Sequence, residues 1–477
     1  MNSFFVKNSK EVKPGDVFVS IKGVQTNGNN YIIEAVTNGA SKIIAQIDNP
    51  VNEETLFYLI TKKIPLEYVE NSYLAFAENI KKYYGNQFSN IIFIGVTGTK
   101  GKTTTCNALF NLLRAGGYST ALMSTAFHKI NDLVEKAELT TEMVNVVYHF
   151  LEKASQKNVT HIILEVSAQA FSQYRIHGIL FDAFIFTNFS QEHSESYQTQ
   201  EEYFLAKCQL YNYLKPGATV LLNKDDNKVM SSINYTANTN FKLKTFSSDL
   251  ENQSDIYFNI QSSSITMTKA NLYYKNNTYL FNSSWLGIHN IGNIACALLT
   301  LDELLFLTQQ KIMFLLKQAE SFENIPGRNE KYFLSNNRIV CIEKAYTSNS
   351  VEAILNLLLP LTHNLIVLFG CGGERDKIRR PELAKTIESI AHTIYVSSDN
   401  PRNEPIENIF RDIANGFLFK KDIFFIQDRK QAIETAIEQA VPESIIVLLG
   451  KGDEQYQNIK NKLYPFSEKE IIAKYIK

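Results

Sequence analysis

Apolar positions along the chain alternate between short continuous runs and runs with helical spacing, so the predicted elements are buried strands followed by amphipathic helices. The run "IIFIGVT" at 91–97 is apolar almost throughout, as a strand buried on both faces must be. It passes through glycines into "KTTTCNALFNLL" at 102–113, an amphipathic helix. Further strands are predicted at "THIILEVS" (160–167), "FDAFIFTN" (181–188) and "GATVLLNKDD" (217–226). Upstream, "DVFVSIKG" and "SKIIAQI" predict two strands around a helix near Tyr31–Asn38. From 240 to 284 the pattern turns polar and rich in Ser and Asn, which predicts a β-meander beside the main sheet. Beyond "ENIPGRNE" (323–330), where Pro326-Gly327 marks a linker or tight turn, come "NLIVLFGCGG", "HTIYVSSDNPR" and "SIIVLLGKGDE". Each is an apolar strand with a polar tip bearing glycine or proline. Strands at helical separation imply parallel βαβ units, whose ligands sit outside the carboxyl ends of the strands. The expected fold is α/β, in segments 1–87, 88–326 and 327–477.

Composition narrows the classes. A chain of 477 residues exceeds one ordinary core, and 44% hydrophobic with 20% charged residues suits a globular protein. A net charge of -1 gives no global field towards nucleic acid or anionic lipid, so neither is an expected partner. Any anionic ligand must be met by local groups. Five scattered cysteines without a CxxC pair argue against a disulfide framework or zinc site and for a reducing, cytoplasmic compartment. The first apolar run is too short for a signal peptide, and the apolar stretch 355–371 is broken by Pro360, Thr362, His363 and Asn364, so no membrane span is expected.

The candidate chemistry begins in "GVTGTKGKTTT". Glycines let successive N–H groups face one anion, and the following helix adds its positive end. Gly98, Thr99, Lys100, Gly101 and Thr104 would surround a phosphate, Lys102 would supply a full charge, and Thr103 a hydroxyl for magnesium. A general Walker A pattern would need glycine at Val96; the spacing here is GxxGxxGKT. Glu165, at the tip of its strand, suits a Mg²⁺ ligand, because magnesium takes hard oxygen donors beside nucleotide phosphates. His193 follows in the loop after the next strand, as a candidate second metal ligand. Lys207, in "EEYFLAKCQLY", reads from periodicity as a solvated lysine.

The loop, followed in order by "EVSAQAFSQYRI", "FDAFIFTN", "EEYFLAK" and "LLNKDD", resembles the Mur ligases, ATP-dependent enzymes that add amino acids to the peptidoglycan precursor. Within them it is most similar to the UDP-N-acetylmuramoyl-tripeptide synthetases. The resemblance implies three domains: a uridine-diphosphate-binding α/β domain, a central P-loop ATPase domain with a parallel sheet, and a Rossmann-like domain for the amino acid. It implies ATP and Mg²⁺, with Lys207 carbamylated into a carboxylate that joins Thr103, Glu165 and His193 as a metal ligand. Lys102, Glu165, His193 and Lys207 would form the catalytic set. Ser9 matches the family serine near the uridine nucleotide, and Thr140, Thr141, Ser167, Gln173 and Arg175 match the muramoyl-peptide side. Asn290 and Asn293 match an asparagine pair before a helix, where Asn290 also reads as the N-cap. Arg328 matches an arginine that reaches ATP, and Glu343 a residue near the ribose. "DNPR" (Asn400, Arg402), Arg375 and "GKGDE" (Gly450, Glu454) resemble the form that adds meso-diaminopimelate. There Arg402 would meet the distal carboxylate and Glu454 the distal ammonium.

The chain also departs from the family pattern. Lys100 replaces Asn, "EKAYT" (343–347) stands for Asp-Tyr-Ala-His, Ala168-Gln169 for Ser-His, Glu192 for Asp, and Asp453 for His. Asn8 and Lys10 replace Asp and Arg beside Ser9. The implied reaction is ATP-driven amide formation through an acyl phosphate, joining a diamino acid to UDP-MurNAc-L-Ala-D-Glu in a monomeric enzyme whose domains close over the intermediate. The alternatives are a paralogue acting on another amino acid or peptide, and an ATP-binding homologue without catalysis.

Overall fold

The apolar run at 91–97 becomes the strand Ile92–Thr97, which pairs in parallel with Phe181–Phe186 on one side and His161–Glu165 on the other. The computed structural model describes residues 4–23, 26–190, 197–237, 240–418 and 420–476. It contains two units, Met1–Phe246 with Cys296–Phe306, and Ser247–Ala295 with Leu307–Lys477.

In the first unit the parallel array continues through Leu214–Asn223 and Phe241–Ser247 on one flank. On the other flank Thr120–Met123 joins it, followed by the antiparallel strands His128–Ile130 and Leu133–Glu135, which the sequence reading did not anticipate. A second, four-stranded parallel sheet holds Phe5–Val6, Val17–Val19, Lys42–Gln46 and Leu66–Val69. The predicted helix forms as Ile32–Thr37. Val17, Val19, Ile44 and Phe76 of the N-terminal segment lie in one buried cluster with Phe93, Val147, Leu151 and Ile162. The two sheets therefore share a core, because parallel strands must be covered on both faces.

In the second unit six strands lie in the order Glu330–Phe333, Ile339–Glu343, Ile445–Leu449, Leu365–Phe369, Thr393–Val396, Asp422–Phe425. All neighbours are parallel except the first pair. Alternate residues divide between two cores: Val367, Phe369 and Val447 pack with Leu355 and Ile409, whereas Ile366, Leu368 and Ile446 pack with Ala432 and Ile433. The polar region 240–284 includes the expected meander, Ile256–Ser263, Thr268–Tyr274 and Asn277–Ser283, all antiparallel. Pro326-Gly327 is a tight turn: Gly327 has φ +66°, and the Arg328 amide donates to Ile325 O at 3.0 Å. No described helix is long and apolar enough to cross a membrane.

One ion-pair group anchors this second sheet. The buried Arg380 guanidinium donates to both Glu404 oxygens at 2.7 Å, to Asp412 at 2.8 Å and to Gly372 O at 3.1 Å. These bonds hold the Glu404 carboxyl down at about 2, from an ordinary 4.5. Such a depressed group stabilises the fold fully above its unfolded value and loses that contribution as pH falls through the folded one. The urea midpoint should therefore fall between pH 4.5 and pH 2 in the native protein. At neutral pH, Arg380→Met takes the buried cation from Glu404 and Asp412, leaving Glu404 only the more exposed Lys377 at 3.7 Å, and should destabilise by about 3 kcal/mol, measured by urea titration.

Candidate active site

The loop after Ile92–Thr97 is fixed from the neighbouring strand tip. Asn188 Oδ1 accepts from the Lys100 amide at 2.8 Å, Asn188 Nδ2 donates to Lys100 O at 3.0 Å, and Thr187 Oγ1 donates to the same carbonyl at 2.6 Å. Thr99 N donates to Asn188 O at 2.9 Å. Gly98 sits at φ +144°, where a Cβ would come within 2.0 Å of Thr187 Oγ1, so only glycine fits. Gly101 takes a left-handed φ of +77° and opens the helix Lys102–Ala115. Thr187 and Asn188 were missed in the sequence; the available signal was a polar pair at the tip of the strand next to the glycine loop.

Two ammonium groups converge on the loop. Lys102 Nζ donates to Gly98 O at 3.0 Å and Thr99 O at 2.8 Å, and Lys207 Nζ donates to Gly98 O at 2.8 Å. The two nitrogens lie within about 6 Å of each other, where like charges repel. Periodicity placed Lys207 in solvent; instead the helix Gln200–Cys208 turns it inward, leaving it 1% exposed beneath the Tyr203 ring.

Glu165, also 1% exposed, accepts from Thr103 Oγ1 at 3.0 and 3.1 Å, from Thr125 N at 2.8 Å and from Thr125 Oγ1 at 2.9 Å. Thr125 is a second residue the sequence reading missed, just past the strand Thr120–Met123. A carboxylate and hydroxyls are hard donors of the kind magnesium accepts, with phosphates and water completing its shell. Among the described residues no three His, Cys, Asp or Glu side chains gather as a metal site. His193 lies outside the described residues.

Four of the residues matched to the acceptor, Thr141, Ser167, Gln173 and Arg175, form a continuous chain of bonds. Thr141 Oγ1 donates to Glu165 O at 2.7 Å and accepts from the Ser167 amide at 3.0 Å. Arg175 donates to Thr141 O at 2.5 Å, while its Nε and Nη2 meet Gln173 Oε1 at 3.1 and 2.7 Å. Thr140 is half-buried beside Thr141. Ser9 is buried in the N-terminal segment and donates to Glu34 at 2.5 Å.

In the second unit Asn290 is not the N-cap that the sequence suggested. Gly287, at φ +89°, breaks the chain early, so the helix begins at Ile288 and Asn290 lies in its first turn. Its Nδ2 donates back to Leu286 O at 2.8 Å, and Asn293 Nδ2 donates to Asn290 Oδ1 at 3.2 Å. Arg328 Nη1 donates to Gly327 O at 3.1 Å, and Glu343 accepts from the Asn329 amide at 2.8 Å. Asp453 and Lys344, at two departures from the family pattern, form an ion pair of 2.7 Å.

The strand tips also meet. Asn400 Nδ2 donates to Glu454 Oε2 at 2.8 Å, and the fully buried Lys451 reaches Asn400 Oδ1 at 3.2 Å and Glu454 at 3.4 Å. Arg402 Nη1 donates to Gly373 O at 2.5 Å. A Cβ on Gly372 would lie 3.1 Å from Arg402 Nη1 and 3.4 Å from Arg375 Cγ, so both arginines flank that glycine. Burial, and then the charges of Arg402 and Arg379, hold Arg375 below its ordinary value against the pull of Glu454. Gly450, at φ +103°, leaves room for Asp399, whose Oδ2 a Cβ would approach to 2.8 Å. Lys451 was not singled out in the sequence, since a lysine between two glycines reads as a solvated turn residue.

Residues 96–301 match the Mur ligase middle domain, and 327–452 match the Mur ligase glutamate ligase domain. A UDP-N-acetylmuramoyl-L-alanyl-D-glutamate--2,6-diaminopimelate ligase of Aquifex aeolicus is 30% identical over 98% of this chain and 92% of its own. UDP-N-acetylmuramyl-tripeptide synthetase 2 of Oceanobacillus iheyensis is 34% identical over 95% of this chain and 90% of its own. Among solved structures, a UDP-N-acetylmuramoyl-L-alanyl-D-glutamate--2,6-diaminopimelate ligase aligns with TM-score 0.66 at 25% identity, covering 99% of this chain and 94% of that one. A MurF ligase from Thermotoga maritima in complex with ADP aligns with TM-score 0.64 at 19% identity, covering 94% of both, and shows the shared fold. With two domain matches in chain order and relatives alike over nearly their whole length, the chain belongs to the Mur ligase family.

Proposed function

We propose that the protein is an ATP-dependent ligase that joins the amine of a diamino acid, meso-diaminopimelate, to the D-glutamyl carboxylate of UDP-MurNAc-L-Ala-D-Glu. One observation carries the reading: a glycine loop on which the Lys102 and Lys207 ammonium groups converge, with the Thr103 hydroxyl bonded to the buried Glu165. The named relatives add the substrate class.

In this reading the amides from Gly98 to Thr104, with Lys102, hold the ATP phosphates. Thr103 and Glu165 would hold Mg²⁺, together with His193 and Lys207 as its carbamate; the ion supplies positive charge to neutralise the phosphates. Carbamylation replaces the Lys207 cation by an anion and so removes its repulsion with Lys102. Ser9, Thr140, Thr141, Ser167, Gln173 and Arg175 orient the acceptor. Its carboxylate attacks the γ-phosphorus and ADP leaves, giving an acyl phosphate. The incoming amine then displaces phosphate and loses a proton as the amide forms. Asn290, Asn293, Arg328 and Glu343 contact the nucleotide, and Arg375, Asn400, Arg402, Gly450 and Glu454 hold the amino acid. Asn400 fixes Glu454 and is itself fixed by Lys451.

Purified protein with ATP, Mg²⁺ and UDP-MurNAc-L-Ala-D-Glu should release phosphate strongly with meso-diaminopimelate and weakly with L-lysine, in a malachite-green assay across an amino-acid panel. A strong response to another amino acid would replace the substrate assignment. No amine-dependent release across the panel would remove the ligase reading itself.

A further inference from the structure

Two departures from the family pattern, Lys344 and Asp453, have no part in the roles above, yet the fold brings them together. The strands Ile339–Glu343 and Ile445–Leu449 pair in parallel with Glu343 opposite Leu449, so both segments leave the sheet side by side. The Gly450 amide donates to Glu343 O at 3.0 Å, and the Lys344 amide donates to Gly327 O at 2.9 Å. Gly452 takes a left-handed φ of +57°, and a Cβ there would lie 2.7 Å from Lys344 Cβ and 3.0 Å from its Cγ. The lysine stem therefore lies flat on bare backbone. A Cβ on Gly327 would come within 2.8 Å of the Asp453 amide nitrogen, so the turn at Pro326-Gly327 backs the same segment.

From this seat the Lys344 ammonium reaches Asp453 Oδ1 at 2.7 Å, with the two side chains only 22% and 21% exposed. A pair so shielded is screened by salt less than an exposed one. Asp453 directly precedes Glu454, whose amide closes the turn onto Lys451 O at 3.1 Å. Asn400 and Lys451 both meet Glu454 at Oε2, and among the described residues no hydrogen bond engages Oε1. The turn thus offers one carboxylate oxygen to a ligand, and where that oxygen lies depends on what holds residues 450–454. Either charge left alone would act on it, Asp453 as a second anion beside it and Lys344 as a cation drawn to it. One departure without the other would leave such a charge; this chain carries both.

We infer that Lys344 and Asp453 are positioning residues for the amino-acid substrate: their ion pair clamps the 450–454 turn to the neighbouring strand tip and so fixes where Glu454 meets the substrate's distal ammonium. The inference rests on the amino-acid site proposed above and adds the device that holds it.

The test is steady-state phosphate release by wild type, Lys344→Met, Asp453→Asn, the double variant and Lys344→Arg. Each neutral single variant should raise KM for meso-diaminopimelate about tenfold, with kcat and KM for ATP within about twofold of wild type. The double variant should lose no more than either single one, because the same tie is broken in all three. Lys344→Arg keeps the charge and should retain most of the affinity. L-lysine, whose ε-ammonium would meet the same Glu454 oxygen, should suffer a similar rise in KM. All variants should melt within a few degrees of wild type, so that the loss is one of positioning and not of fold. If wild type itself shows no amine-dependent release, the ligase reading fails and takes this inference with it. With an active wild type, three outcomes would overturn the inference and leave the ligase reading standing. These are an unchanged KM in the single variants, losses that multiply to about a hundredfold in the double one, and a KM for ATP that rises as far as that for the amino acid.

Discussion

Replacing Lys102 by Met should lower amine-dependent phosphate release by about a thousandfold while leaving the thermal midpoint within a few degrees of wild type. The Lys102 ammonium rests on two loop carbonyls, Gly98 O and Thr99 O, and these still have solvent to satisfy them when it leaves. The loop itself is held by Thr187 and Asn188, which Met does not disturb. On the proposed reading, what disappears is a full positive charge beside the transferring phosphoryl group, and catalysis of that transfer is almost wholly positioning and electrostatics. Lys102→Arg should not rescue, since a planar fork is not a point charge on a flexible stem. Two readouts separate this account from a scaffold role: ATP should no longer raise the melting temperature of Lys102→Met, and the ligand-free protein should melt almost as before. A large loss of ligand-free stability with ATP stabilisation retained would mean that Lys102 serves the loop and not the nucleotide.

The parts of this site legible in the sequence are those where backbone geometry restricts residue choice. Gly98 and Gly101 announce the loop because positive φ and a close approach to Thr187 exclude other residues there. The strands were legible because burial on both faces makes "IIFIGVT" and "SIIVLLG" continuous apolar runs. What escaped was set by contacts distant in sequence. Asn188 locks a loop almost ninety residues upstream, and nothing local distinguishes it from any asparagine at a strand end. Lys451 looks solvated between two glycines yet is fully buried, because Asp399 and Asn400 arrive from elsewhere to enclose it together with the nearby Glu454. The inward turn of Lys207 came from family resemblance, not from the weakly patterned helix that carries it. Asn290 misled for a local reason: it is a good cap, but Gly287 ended the preceding segment one turn too soon for it.

Arg402→Gly should raise KM for meso-diaminopimelate by about a hundredfold and leave stability unchanged or slightly improved. Arg402 holds φ at +53°, a left-handed conformation that costs an arginine about 1 kcal/mol and costs glycine nothing sterically. The backbone is kept there by its neighbours: the Arg402 amide donates to Asn458 O at 3.0 Å, and the Lys460 amide donates to Arg402 O at 2.7 Å. Strain of this sort persists where the surrounding structure holds it, and here it sets the Arg402 guanidinium on the Gly373 carbonyl, beside Arg375, which in turn feels the Glu454 charge. Two neighbouring arginines with a carboxylate in reach suit a group with a carboxylate and an ammonium at one end, which diaminopimelate has and lysine lacks. Glycine relieves the strain and keeps both backbone bonds, so fold and selectivity come apart in a single variant. L-lysine, with no distal carboxylate for Arg402 to meet, should lose little, and the ratio of kcat/KM for the two amino acids should fall by about two orders of magnitude. Equal losses for both amino acids, or a melting temperature that drops with activity, would assign Arg402 to the scaffold and leave the choice of amino acid to Arg375 and Glu454.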